Sequence, residues 1–187
     1  MNRTELEEAL RAAGEIAKEQ EFIVFGSQAI LGLMARPPIL CLASMEVDIY
    51  PKHKYQAVRL LVAKLGNRSA FAKRSGYFVD CVSPDLATLP NGWAERLVPF
   101  RTKRTGGVTG WCLEIHDLAL SKLAAGRVKD LEYIHALLQA KLIRPGTLKD
   151  RIEDTFIPSG EKQTLGLRLK ELSKKKPSAR RHTRKQK

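Results

Sequence analysis

The chain has 187 residues, 43% of them hydrophobic, and a formal net charge of +13, which suits one well-formed domain with a small helical appendage. No apolar run approaches the roughly 20 residues needed to span a bilayer. The opening Met1-Asn2-Arg3-Thr4-Glu5 is polar rather than a signal peptide, so a cytoplasmic protein without membrane contact is expected. Three widely spaced cysteines (Cys41, Cys81, Cys112) without a C-x-x-C pair read as buried thiols, not a disulfide framework. Four histidines (His53, His116, His135, His182) lack the spacing of a zinc site.

Residues 4–18 place Leu6, Leu10, Ala13 and Ile16 at near-helical spacing, with Thr4 as the expected N-cap and Glu7 three residues on. The aromatic and β-branched run 21–25 reads as a buried strand. It stops at Gly26-Ser27, where a short helix over 27–34 begins. Such a junction lets the backbone approach a ligand closely and offers free N–H groups and a hydroxyl to phosphate. A plain tight turn with Ser27 as N-cap explains the same residues.

Pro37-Pro38 excludes regular helix, and a strand carrying Glu46 and Asp48 ends at Pro51. Residues 54–66 form an amphipathic helix closed by Gly66, and 67–76 are a basic, polar segment. A third strand follows at 77–82, with Asp80 as its single acid. Runs 96–102 and 108–114 around Thr105-Gly106-Gly107 suggest a β-hairpin. From there the pattern is helical: 118–125 N-capped by Asp117 and broken by Gly126, then 129–140, 147–156 and 161–173.

The charge is unevenly spread. Residues 161–187 hold eleven Lys/Arg against two Glu, a net of +9, which leaves +4 for the first 160. A basic tail over 174–187 with nothing to pack reads as disordered and attracts polyanions such as RNA without reading sequence.

In Glu46-Val47-Asp48-Ile49 strand alternation sends both acids to one face, about 7 Å apart at Cα, and Val47 and Ile49 to the other. Two carboxylates roughly 5 Å apart repel by about 3 kcal/mol at an effective dielectric near 20. Cations between them, protonation of one, or open water on both relieves that cost. A solvated strand face is the plain reading of an isolated E-x-D.

The order strand, Gly-Ser, short helix, acid–apolar–acid strand, helix, strand with one more acid resembles the nucleotidyltransferase superfamily built on the DNA polymerase β catalytic fold. Residues 21–82 carry the match. The segments Pro84-Asp85-Leu86-Ala87-Thr88-Leu89-Pro90-Asn91-Gly92-Trp93 and, more specifically, His116-Asp117-Leu118-Ala119-Leu120-Ser121-Lys122-Leu123-Ala124-Ala125-Gly126-Arg127-Val128-Lys129-Asp130 resemble a stand-alone bacterial family. It is related to the nucleotidyltransferase toxins of toxin–antitoxin and abortive-infection systems. Eighteen residues separate Ser27 from Glu46, more than is usual in the superfamily, so an enlarged loop holds Pro37-Pro38.

The resemblance implies an α+β fold, a small mixed sheet with flanking helices over 1–115, then a helical subdomain over 116–173. It implies that Glu46, Asp48 and Asp80 hold one or two Mg²⁺ ions, or Mn²⁺, with Asp80 placed to accept the acceptor's proton. Gly26 and Ser27 would hold the β/γ phosphates of a nucleoside triphosphate, and Lys122 would reach them as a point charge. Taken alone, Lys122 is an exposed helix lysine. Arg127, Lys129 and Asp130 supply either a phosphate contact and a salt bridge or two helix caps.

The implied activity moves a nucleoside monophosphate from the triphosphate onto RNA, such as a tRNA 3′ end, or onto a protein, with an antitoxin as a further partner. The alternative is a weakened member of the fold that binds nucleic acid or a partner protein. A metal-dependent nuclease fits less well, because Tyr50 stands where that chemistry places a lysine.

Overall fold

The computed structural model describes residues 1–174. Helix α1 (Arg3–Ala17) buries Leu6, Leu10 and Ala13 along one face. Its N-cap is Asn2, not Thr4: the Asn2 side chain accepts the Glu5 N–H while the Glu5 carboxylate accepts the Asn2 N–H. The capping box therefore lies two residues earlier than the Thr4/Glu7 pair suggests.

Strands β1 (Glu21–Val24), β2 (Glu46–Pro51), β3 (Phe78–Cys81), β4 (Val98–Phe100) and β5 (Thr109–Cys112) form one sheet in the order β3-β2-β1-β5-β4. β1 runs antiparallel to β2 and parallel to β5; β2 and β3 are parallel, and β4 and β5 form the expected hairpin. Phe22, Val24, Val47, Ile49 and Val79 are fully buried on one face. Helix α1 covers that face closely: a β-carbon on Gly110 would meet Leu10 at 2.8 Å. The other face carries Glu46, Asp48, Phe78 and Asp80.

Between β1 and β2 the chain makes a single 3-10 turn (Ser27–Ala29), helix α2 (Ile30–Leu33) and a second 3-10 turn (Ile39–Leu42). The stretch expected as one helix over 54–66 is a 3-10 turn followed by α3 (Val58–Leu65). Within the segment read as merely basic and polar lies α4 (Ala70–Ser75), N-capped by Ser69 and closed by left-handed Gly76. Only Phe71 of this helix is buried, so it has no periodic stripe to betray it.

The C-terminal half is helical: α5 (Ile115–Ala125), α6 (Val128–Gln139), α7 (Pro145–Glu153) and α8 (Ser159–Lys174). The cap of α5 is Glu114, whose side chain accepts the N–H groups of His116 and Asp117. Asp117, expected as the cap, instead sits one turn in and is fully buried. It accepts two hydrogen bonds from Arg96 at 2.9 and 3.2 Å, and Arg151 Nε stands 2.9 Å from its other side. That acid ties the turn before β4 to α7 through α5. His116 makes a second tie: Nδ1 meets Glu114 at 2.8 Å and Nε2 accepts the Arg144 N–H, the pattern of a neutral imidazole.

Cys41 and Cys112 are buried and Cys81 half-buried, all as free thiols. No helix among the described residues is long and apolar enough to cross a membrane. The expected basic tail lies outside the described residues except for Lys174, which ends α8.

Candidate active site

The site begins with the register of three strands. Asp48 and Asp80 are direct partners on the parallel pair β2/β3, and Glu46 pairs with Phe78 two positions earlier. Strand alternation therefore places all three acids on one face. The antiparallel pairing of β1 brings the end of that strand to the same spot: Phe25 donates its N–H to the Asp48 carbonyl at 2.8 Å. Gly26 follows with φ +59°, its Cα pressed against the Asp48 carboxylate; a β-carbon there would stand 1.7 Å from Oδ2. Only glycine fits, on both backbone and steric grounds.

Asp48 is half-buried, Glu46 likewise, and Asp80 is exposed. Burial first, then the neighbouring charges of Glu46 and Asp80, push the Asp48 carboxyl up to about 6; the more distant Lys122 and Lys129 pull the other way. Asp80 accepts the N–H of Cys81 at 2.9 Å, so its carboxylate leans along its own strand. Among the described residues no three Asp, Glu, His or Cys side chains are already gathered as closely as ligands of one ion. The donor set is nonetheless all carboxylate oxygen, the kind Mg²⁺ and Mn²⁺ prefer.

Ser27 is gripped from α5 and α6. Lys122 Nζ donates to Ser27 Oγ at 2.9 Å and to Asp130 Oδ1 at 3.2 Å, and it lies 4.5 Å from the centre of the Tyr133 ring. Tyr133 donates its hydroxyl to the Ser27 carbonyl at 2.8 Å. Lys122 is only 6% exposed, which corrects the reading of an exposed helix lysine. Burial pulls its ammonium below the usual lysine range, and the charge of Asp130 and the more distant Asp48 oppose that pull.

Arg127 caps nothing with its side chain; it donates to Asp130 at 2.6 and 3.4 Å and keeps 62% of its side chain exposed at the cleft. Asp130, 1% exposed, thus holds both cations. Burial alone would raise its carboxyl; the bonds and charges of Arg127 and Lys122 outweigh that and hold it below the usual range. Lys129 is exposed at the rim.

The cleft between these walls measures about 550 Å³ and includes Gly26, the three acids, Ser121 and Arg127. Gly26, Glu46, Asp48, Asp80 and Arg127 thus share one cavity, and Ser27, bonded to Lys122, lines the neighbouring cleft. Tyr133 and Phe78 were not singled out by sequence. For Tyr133 the signal is its position three residues after Asp130, on the same face of α6; for Phe78 it is the alternation with Asp80.

Residues 4–175 match the family described as a nucleotidyltransferase of unknown function (DUF6036). No curated protein and no solved structure matches the chain.

Proposed function

We propose, from the premise that this chain belongs to that nucleotidyltransferase family, that with a divalent cation it moves a nucleoside monophosphate from a nucleoside triphosphate onto an acceptor hydroxyl: the new oxygen–α-phosphorus bond forms as the α–β anhydride breaks and pyrophosphate leaves. The observation that carries this is the shared cavity: three carboxylates on one sheet face, with Gly26 pressed against Asp48 and Ser27 bonded to a buried lysine.

Glu46, Asp48 and Asp80 would hold Mg²⁺ or Mn²⁺, as their oxygen chemistry and mutual repulsion favour. When bound, the ion supplies charge neutralisation at the reacting phosphorus and acidifies the acceptor hydroxyl. The chain's own residues do the rest. Lys122 and Ser27 exchange their mutual bond for phosphate oxygens, while Arg127 swings its exposed guanidinium onto the triphosphate without leaving the Asp130 face. Asp80, the solvent-facing acid, releases its Cys81 N–H bond and takes the proton from the acceptor.

The acids come from residues 1–115 and the cations from the helices of 116–173, a division of labour across the cleft. RNA is the acceptor favoured by charge: residues 161–187 carry a net +9.

The test is to incubate the protein with each α-labelled nucleoside triphosphate, Mg²⁺ and total RNA. Label on RNA that vanishes in Asp48→Ala supports the reading. Label on the protein moves the acceptor to a side chain. No label on either, with RNA still bound, overturns catalysis in favour of a binding module.

A further inference from the structure

Beside the main cleft, across Glu46, lies a second cleft of about 270 Å³. We infer that this second cleft seats the nucleobase of the donor nucleotide, with Phe78 as its stacking surface. The inference rests on the reading of the site as one for a nucleoside triphosphate.

Its position follows from register. Phe78 is the β3 partner of Glu46, and partners on parallel strands share a face. The next residue, Val79, is fully buried on the core face, so Phe78 stands on the face of the acids. Its backbone N–H donates to the Met45 carbonyl at 3.0 Å, which fixes the connection before β2 against β3.

The chemistry of the lining is mixed. Leu40 and Met45, 60% and 52% exposed, present apolar surface that nothing among the described residues covers. The same lining includes the polar groups of Lys129 and Tyr133. A lining that combines aromatic and apolar surface with polar groups matches a heterocycle, which has an apolar face and a hydrogen-bonding edge.

Continuity with the phosphates decides which nucleotide enters. Ser27 belongs to this cleft's wall, and its hydroxyl is the one bonded to Lys122. Glu46 borders both clefts. One molecule can therefore lay its triphosphate along Ser27 and the acids and its base against Phe78. The unusual length of the Ser27-to-Glu46 connection gains a purpose: its residues 40 and 45 line the same cleft as Phe78.

The experiment compares two ligands by titration calorimetry in Mg²⁺: non-hydrolysable nucleoside triphosphates of each base, and inorganic tripolyphosphate. The wild-type protein is expected to bind at least one analogue more tightly than tripolyphosphate. Phe78→Ala is expected to weaken the analogue about tenfold or more, in the range set by loss of one base–aromatic stack, and to leave tripolyphosphate unchanged. Phe78→Trp should preserve the preference.

If Phe78→Ala does not fold, the neutral change Met45→Ser in the exposed wall must show the same split. An equal loss for both ligands, or no loss for either, overturns the subsite while leaving the nucleotide site standing. Weakened acceptor RNA with unchanged nucleotide binding also overturns it. A wild-type protein that binds neither ligand removes the nucleotide reading itself, and the subsite with it.

Discussion

Gly26 and Asp48 touch so closely that the space for a single methyl group is already filled by the carboxylate. The contact is made possible by a positive φ at Gly26 and by the antiparallel register that puts the end of β1 opposite Asp48. It couples the turn after β1 to the middle acid.

Gly26→Ala should therefore fail twice, through about 1–3 kcal/mol of strain in a positive-φ, extended-ψ backbone that suits glycine alone and through collision with Asp48. Urea unfolding should show a loss well above the strain alone. In an Asp48→Ala background only the 3.2 Å contact with the β-carbon of residue 48 remains of the collision, and the same substitution should cost little beyond the strain. Equal costs in both backgrounds would show that the two residues do not interact.

Asp48→Asn should abolish nucleotide transfer and leave the melting temperature no lower than wild type. Asp48 is held among like charges, so removing its charge relieves repulsion rather than breaking a partner. Added Mg²⁺ should raise the wild-type melting temperature, and this shift should vanish in Asp48→Asn and Glu46→Gln. A marked loss of stability in Asp48→Asn would assign the residue a structural role.

Asp130→Ala leaves Lys122 buried with only the Ser27 hydroxyl and the Tyr133 ring beside it, and should cost about 3 kcal/mol. Lys122→Met should cost less, because Asp130 keeps Arg127. The double variant Lys122→Met/Asp130→Leu should regain most of the stability while nucleotide binding stays lost. Calorimetry of binding beside urea melts separates the two effects.

Two of the four depressed carboxyls, Glu114 and Asp130, belong to the helical half and contribute to the acid limb of stability beside Glu19 and Glu21. Burial would raise Glu114, but the hydrogen bond from His116 and the N–H groups it caps hold it below the usual range; Asp130 is lowered in the same sense. Each binds its proton less readily folded than unfolded. Their contribution is complete above the ordinary carboxylate range, about pH 4, and drains away as pH falls through the folded-state values. Glu114→Gln should flatten that limb and cost about 1 kcal/mol at neutral pH through the weakened cap. An unchanged acid limb in both Glu114→Gln and Asp130→Asn would refute this assignment.

Much of the site could be read from the chain because it is written in strand alternation. Val47 and Ile49 mark the buried face, so Glu46 and Asp48 had to share the other. The β4/β5 hairpin and the stop at Gly126 are equally local, set by turn residues. What escaped depends on contacts far apart in sequence.

The order of the sheet puts β1 between β2 and β5, a result of pairings no window of residues contains. Helix α4 hides because it buries one side chain. Asp117 has the sequence of a cap and the role of a core acid, since Arg96 and Arg151 arrive from elsewhere in the chain. Lys122 did carry a faint mark: a lone cation in the apolar helix of Leu118, Leu120 and Leu123.

Asp48 and Asp80 are level in the sheet yet unequal toward water, the first recessed beneath Gly26 and the second open at the rim. Traffic into such a hollow has a direction. For the proposed transfer, an acceptor would reach Asp48 past the outer carboxylate, a route that would suit the loose tip of a strand or a jutting side chain better than the flank of a duplex.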